Sequence, residues 1–424
     1  MSPASPAPAV ELSERTLARA SLGYLAEPGD PALGALLGIC DPREILAAIR
    51  ADMLPGAGPG CGDSPASRAA LERAFGRWRI RLPKLPGATD ITAACRDGVA
   101  LVGPEDPGWP SGLDQLGPAR PYALWLRGNA DLRSGCQRSV SVVGSRAATG
   151  YGAHVAGEIA ADLGERGWAI VSGGAYGIDA AAHRGALATR GTTIAVLACG
   201  VDFPYPAGHA DLFADIAAHG LVISEWPPGL RPARTRFLVR NRVIAALSCG
   251  TVIVEAGERS GALNTARHAA ELGRPLMAVP GPVTSAQSAG CHRIIRDWGA
   301  SCVTSAADII ELLSPLSATD ARAPAASRET PASRSPAADR SPAAGHGPAV
   351  PASPAWDPAL PYDDLDADSA RVLDAVPARG GAGTSTIAVD AGVDLDTVLR
   401  CLGVLAGCGF IERGDDGWRL PRRA

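Results

Sequence analysis

Lysine is all but missing from this chain. Of 424 residues only Lys84 is lysine, so arginine carries nearly all of the positive charge. A phosphate loop of the G-K-[ST] type is impossible, and with it the ATP-driven motor chemistry such a loop serves. A lysine Schiff base would have to use Lys84, which stands between prolines in RLPKLPG. Aromatic residues are scarce as well, at 4%, so each one near a candidate site carries information. The ten cysteines contain no C-x-x-C pair and no run with metal-ligand spacing, which argues against a metal module. Cys199, Cys249 and Cys302 fall in or beside apolar runs, as buried thiols do. A reducing cytoplasm is the expected compartment. No stretch reaches the roughly 18 uninterrupted apolar residues of a membrane span. The opening MSPASPAPAVELSERT lacks the charged region and apolar core of a signal peptide.

At this length two to three domains are expected, and the 46% hydrophobic content supplies ample core. Residues 1–86 read as a small helical module: LSERTLARASLGYL and DPREILAAIRA have apolar residues at helical spacing, with Asp41 an N-cap before Pro42. Residues 87–314 change character. Short apolar runs alternate with helical segments: SVSVV (139–143), WAIVS (168–172), TIAVLA (193–198), LVIS (221–224), TVIVEA (251–256) and PLMAVP (275–280). Such runs are nearly continuous rather than alternating, as in strands covered on both faces, and predict a doubly wound parallel α/β sheet. Residues 315–364 are low in complexity, with ten prolines between Pro315 and Pro361, and read as a disordered linker. Residues 365–424 read as helix, helix, turn, helix and a short hairpin around Asp-Asp-Gly, the order of a winged helix-turn-helix. Its second motif helix, about 395–407, carries Arg400 but no Lys, Asn or Gln, which favours a protein-contacting or structural role over base reading.

In an open α/β sheet ligands bind beyond the carboxyl ends of the strands. Four stretches follow strands directly and should share that edge. The first is VVGSRAATGYG, where Gly144 permits a tight exit, Ser145 and Thr149 offer hydroxyls and Arg146 a charge. It is not G-x-G-x-x-G, and no acidic residue follows at ribose-holding distance, so dinucleotide binding is disfavoured. The second is VSGGAYGIDAAAH, in which Gly173, Gly174 and Gly177 let backbone approach a ligand and Tyr176 offers a ring. Asp179 and His183 lie four apart here; the spacing favours an intrahelical contact over an acid/base pair, since no nucleophile is specified beside them. The third, RPARTRFLVRNR (231–242), packs five arginines around Phe237, with no acidic residue between Glu225 and Glu255. Guanidinium groups for phosphates and a ring for a base are what a single nucleic-acid strand needs. A basic run is otherwise a solvated surface; its place at the shared edge favours the functional reading. The fourth is VIVEAGERSGALNTARHAAELG, with Ser260 as N-cap and Gly261 amides at a helix start. Glu255 there either bonds a base or sugar, or orients an arginine.

These motifs, in this order, resemble the bacterial DNA-processing protein A (DprA/Smf) family over residues 106–303, roughly half of the chain. The matching pieces are VVGSRAATGYG, VSGGAYGIDAAAHRGAL, GTTIAVLACGVDFPYP, LVISEWPPG, RFLVRNRVIAALS, VEAGERSGALNTARHA and AVPGPV. The resemblance implies an extended Rossmann-like domain that binds single-stranded DNA in a basic pocket, without catalysis or cofactor. It also implies a cytoplasmic homodimer that hands the strand to the RecA recombinase. The family's pocket falls on Arg146, Gly173, Gly174, Arg234, Phe237, Arg240, Asn241 and Arg242. The expected roles are stacking for Phe237 and phosphate contacts for Arg234, Arg240 and Arg242, with Arg231 and Arg236 at the surface. Two positions depart from the family: Tyr176 stands where many members have arginine, and Trp109-Pro110 where Tyr-Pro is common. Two other readings remain open. A nucleoside-phosphate hydrolase shares the glycine-rich edge but needs a P-G-G-x-G-T loop, and GERSGALNT stands in that place. A winged-helix regulator needs a reading helix richer in polar side chains.

Overall fold

The computed structural model describes residues 12–54, 65–95, 98–314, 365–377 and 380–421; the expected linker, 315–364, lies outside the described residues. The chain opens with α1 (Glu14–Leu25), α2 (Pro31–Leu37), α3 (Pro42–Ala51), α4 (Pro65–Ile80) and α5 (Ala88–Ala94). Local chemistry sets their starts. Ser13, Asp30 and Asp41 accept from the first free amides, and Pro31 and Pro42 open α2 and α3 where a missing N–H leaves no bond unmade. The apolar faces of α1 to α4 meet around Leu22, Leu33, Ile45, Ile49 and Trp78.

The central domain follows: β1 (Val99–Val102), β2 (Leu124–Gly128), α6 (Leu132–Gln137), β3 (Ser139–Val143), α7 (Gly150–Glu165), β4 (Ala169–Ser172), α8 (Ile178–Ala188) and β5 (Thr193–Leu197). It continues with α9 (Ala210–His219), β6 (Leu221–Ser224), α10 (Arg234–Leu247), β7 (Gly250–Ile253), α11 (Ala262–Glu271), β8 (Leu276–Ala278), α12 (Ala289–Trp298), β9 (Ser301–Cys302) and α13 (Ala306–Leu313). The nine strands form one sheet in the order β1-β2-β6-β5-β4-β3-β7-β8-β9. Strands β3 to β9 are mutually parallel, while β1 and β2 pair antiparallel at one edge. The mostly parallel sheet agrees with the apolar runs. The antiparallel edge of β1 and β2 and the two-residue β9 extend the sheet beyond the runs read as strands from the sequence.

Successive side chains leave the sheet on opposite faces. Val140, Val142 and Ile170 pack with Ile159 and Leu163 of α7 and Ala182 of α8. Val143, Val171, Ile194, Ile223 and Ile253 pack with Val243 to Leu247 of α10 and with α11. On that second face Ser141 donates to the Ile244 carbonyl at 2.9 Å and Ser139 to the Leu247 carbonyl at 3.3 Å. Both carbonyls lie in the last turn of α10, where no intrahelical donor reaches them. From β3 the chain walks outward through β4, β5 and β6, and α10 then carries it back to β7 on the other side of β3. The crevice beyond the carboxyl ends of β3 and β7 is therefore the switch point of the sheet.

A C-terminal module comprises α14 (Ala367–Ala375), α15 (Thr384–Ala391), α16 (Leu395–Gly407) and the hairpin β10 (Glu412–Gly414) and β11 (Gly417–Arg419). Gly392, at φ 65°, ends α15, and Asp394 caps α16 through the Thr397 amide. Val372, Ile387, Val398, Leu402 and Leu405 form its core. Among the described residues no helix is long and apolar enough to cross a membrane.

Candidate nucleic-acid interface

Where β4 ends, the backbone turns through Gly173 and Gly174 and reaches α8 at Gly177. Gly177 adopts φ 77°, and a Cβ there would meet the Arg146 carbonyl at 2.7 Å, so only glycine fits without strain. Beneath the turn lies Arg240, 4% exposed. Its Nη1 donates to the Gly173 carbonyl at 2.8 Å and to the Val196 carbonyl at the end of β5. A Cβ on Gly173 would lie 2.6 Å from that nitrogen. Burial pushes the Arg240 guanidinium down to about 10, with Asp179 working the other way. The sequence reading puts Arg240 on a phosphate; the structure places its donors on strand-end carbonyls, holding the turn from below.

No hydrogen bond joins Asp179 and His183, where the spacing favours an intrahelical contact. Asp179 accepts from the Gly173 and Ala175 amides at 3.2 and 3.3 Å. Burial raises its carboxyl, while Arg240 and these amides pull it back. His183 is fully buried, with Nδ1 2.7 Å from the Thr193 hydroxyl. Burial pushes it down to about 3, and His209 and Arg240 add to the effect.

The turn after β3 is clamped to the end of β7. Ser145 is buried, its amide donates to the Glu255 carbonyl at 2.7 Å, and its hydroxyl accepts from Ala147 at 3.2 Å. Thr149 caps α7, and its amide and hydroxyl both donate to the Glu255 carboxylate, at 2.9 and 2.6 Å. Glu255 thus holds this turn, where the sequence left it on a base, a sugar or an arginine. The Thr149 hydroxyl is committed inside the protein rather than offered to an anion. Arg146, between Ser145 and Thr149, is exposed.

Helix α10 divides its cationic residues between interior and rim. Arg242 is 5% exposed and makes a two-pronged ion pair with Glu225, both bonds at 2.6 Å. It also donates to the Ala119 carbonyl at 2.9 Å. The sequence reading puts Arg242 on a phosphate; in the structure its fork ties α10 to the residue after β6. Arg236 was expected at the surface; instead it forms a fork with Glu27 of the N-terminal helices, at 2.8 and 3.0 Å. Glu27 also receives Arg81 and the Trp226 indole. Burial opposes the charge on Glu27, but Arg236 and then Arg81 outweigh it and hold the carboxyl well below the usual range. Asn241, 8% exposed, donates to Asn264 at 3.2 Å and to the Gly261 carbonyl at 3.4 Å. It therefore links α10 to α11. Gly261 is the N-cap of α11, and the Ser260 hydroxyl accepts from the Ala262 amide at 3.3 Å.

Above this interior stands a rim of rings and charges. Phe237, half-buried on α10, has the Arg146 guanidinium 5.0 Å from its ring centre and the Tyr205 ring, tilted, at 5.6 Å. Tyr176 is exposed and sits edge-on to His209 at 4.5 Å, and His209 bonds the Gly174 carbonyl at 3.0 Å. Arg231 and Arg234 are exposed at the entrance to α10. The structure brings Arg146, Gly173, Gly174, Tyr176, Gly177 and Phe237 to one edge of the sheet. Tyr205 was missed. It belongs to the loop after β5, a fifth stretch at the same edge; the motif GTTIAVLACGVDFPYP contains it, but spacing alone gives its ring no site role. Among the described residues no group of three or more His, Cys, Asp or Glu side chains is placed to hold a metal ion.

Comparisons with known proteins identify the family. The DNA recombination-mediator protein A family model matches residues 100–314. A DNA processing protein DprA of Mycobacterium tuberculosis is 40% identical over 415 residues, covering 95% of this chain and 94% of its own. The Bacillus subtilis DNA processing protein DprA is 36% identical over 232 residues, 54% of this chain and 76% of its own. The crystal structure of DNA processing protein A from Streptococcus pneumoniae superposes with a TM-score of 0.56 at 30% identity, over 72% of this chain and 99% of that one. With a matched domain over half of its length and a relative aligned from end to end, the chain belongs to the DNA recombination-mediator protein A family.

Proposed function

We propose that the rim binds single-stranded DNA by stacking and phosphate contact, with no catalysed step and no cofactor. We further propose that the protein, as a cytoplasmic homodimer, delivers the strand to the RecA recombinase. The observation that carries the strand reading is the Phe237 ring grouped with the Arg146 guanidinium and the Tyr205 ring. It is an aromatic platform with a cation, at the switch point of the sheet, and it suits any base because every base has a stackable face. Delivery to a recombinase is supported by membership of a family described as recombination mediators. Two observations weigh against nucleotide hydrolysis: Asp179 and His183 are each bound elsewhere, and Glu255 is held by Thr149. A winged-helix reading of the C-terminal module fits its element order. Reading base edges with α16 is disfavoured, because Leu395, Leu399 and Val404 are its exposed apolar residues where polar groups are needed.

The test is a fluorescence anisotropy titration of single- and double-stranded oligonucleotides at several salt concentrations. With Arg146, Arg231 and Arg234 as rim cations, log K for the single strand falls with log salt at a slope of about −2. That is shallower than the slope of about −3 that Arg240 and Arg242 would add to. Phe237→Ala weakens binding by about 1–3 kcal/mol for every sequence, roughly 5- to 150-fold. Arg146→Ala reduces the slope by about 0.7. Equal affinity for duplex and single strand, or two variants that bind like the parent, would refute the proposal.

A further inference from the structure

Helix α10 starts without a cap of its own. The N-cap residue is Ala233, which supplies no side-chain acceptor, and the first turn contains no acidic residue. The first amides of a helix need acceptors, and the positive end of its dipole favours an anion. Here the start also carries the exposed Arg231 and Arg234, which add to the pull on an anion. Asp374, from α14 of the C-terminal module, meets it. One of its oxygens accepts from the Arg234 amide at 3.2 Å. The other accepts from the Thr235 amide at 3.3 Å and the Thr235 hydroxyl at 2.6 Å. Two successive helix amides and a hydroxyl around one oxyanion are also the chemistry of a phosphate site. The module has a second foothold on the N-terminal helices: Asp390 accepts from Lys84 at 2.6 Å, and its carbonyl accepts from Arg81 at 3.0 Å.

We propose that the Arg234 and Thr235 amides with the Thr235 hydroxyl form a phosphate subsite of the DNA-binding rim, and that Asp374 occupies it as an internal competitor. This rests on the single-strand reading of the rim. Phe237 lies on the same first turn as the subsite, one residue beyond Arg236, so a strand stacked on that ring has a phosphate within reach of these amides. The docked module then excludes the strand, and the strand releases the module. If the module is docked nine-tenths of the time, the apparent affinity is about tenfold below that of the open protein.

The experiment is strand titration of the full-length protein and three variants, at one low salt concentration. Asp374→Ala removes the competitor and is expected to tighten binding about tenfold. Asp390→Ala loosens the second foothold without touching α10 and is expected to tighten binding in the same direction by a smaller factor. Phe237→Ala reports on the rim itself. Unchanged or weaker binding by Asp374→Ala, alongside a loss in Phe237→Ala, overturns the competitor and leaves the strand reading standing. No strand binding by the parent or by Asp374→Ala overturns both. Binding by Asp374→Ala where the parent fails to bind supports the competitor in its strongest form.

Discussion

Replacing Arg242 with alanine separates an ion pair that holds the fold from a cation that holds DNA. Glu225 is 5% exposed, and both of its oxygens are taken by the Arg242 fork at 2.6 Å. Burial pushes this carboxyl up and Arg242 draws it back. With the arginine gone, a buried carboxylate is left without its counter-charge, at a cost of about 3–5 kcal/mol. The carbonyls of Ala119 and Val239, which accept from the same guanidinium at 2.9 and 2.8 Å, lose that donor as well. Urea unfolding followed by circular dichroism at neutral pH should therefore show a lower midpoint with an unchanged m value. Well below the transition, the surviving folded protein should keep its salt slope for single strands. Replacing both partners with apolar residues, Glu225→Leu with Arg242→Met, should recover most of the loss, because neither charge then remains buried alone. The opposite pattern would refute the reasoning: Arg242→Ala with a native urea midpoint and a salt slope smaller by about 0.7. Arg242 would then be a phosphate ligand and its bond to Glu225 incidental.

Two further outcomes follow from the interior of the site. Gly177→Ala forces a Cβ to 2.7 Å from the Arg146 carbonyl at φ 77°; it should cost about 1–3 kcal/mol and weaken strand binding by displacing Arg146, both read in the same urea and anisotropy assays. Native affinity and stability in this variant would show that the turn is not held as described. His183 is displaced from its ordinary 6.5 to about 3 by burial, so between those values the unfolded chain binds a proton that the folded chain refuses. Stability must then fall as pH falls through that window, by up to about 1.4 kcal/mol per pH unit for this one group. His183→Gln should lose that part of the slope between pH 6.5 and pH 5, and an identical pH dependence in both proteins would count against it.

The sheet was legible because the strands from SVSVV to PLMAVP are covered on both faces, and burial of that kind writes unbroken apolar runs. The antiparallel pairing of β1 and β2 was not, because an apolar run such as VALV or LWL carries no sign of the direction in which it pairs. The site was legible as an edge. Glycines after β4, a charged turn after β3 and a basic helix after β6 all follow strands, and parallel strands bring their carboxyl ends together. Which arginines face the ligand was not legible. Arg240 and Arg242 are two apart in RFLVRNR, and one-dimensional spacing gives no sign that Gly173 and Glu225 would claim them. Tyr205 escaped for a related reason: the loop after β5 carries Asp202 but no arginine, and its ring acquires meaning only beside Phe237 at 5.6 Å.

The partition of α10 between interior and rim follows from what lies under an anion site in a parallel sheet. At the carboxyl ends of β4 and β5 the ladder stops, and the Gly173 and Val196 carbonyls need a donor that water cannot supply beneath a buried turn. Arginine suits this place because its rigid fork donates in several directions and stays charged through pH 7 even when burial draws it down, as Arg240 is drawn to about 10. Its cost in desolvation is offset by Asp179 alongside and by the carbonyls it gathers. Once two arginines are committed to the interior, affinity at the rim has to come more from stacking and oriented amides than from counterion release. Single-strand binding should then persist at salt concentrations that disperse a purely cationic groove. The same reasoning explains why a single carboxylate, Asp374 on two helix amides and a hydroxyl, is enough to compete: it meets the strand at one of the few places where an oxyanion is held by fixed donors rather than by diffuse charge.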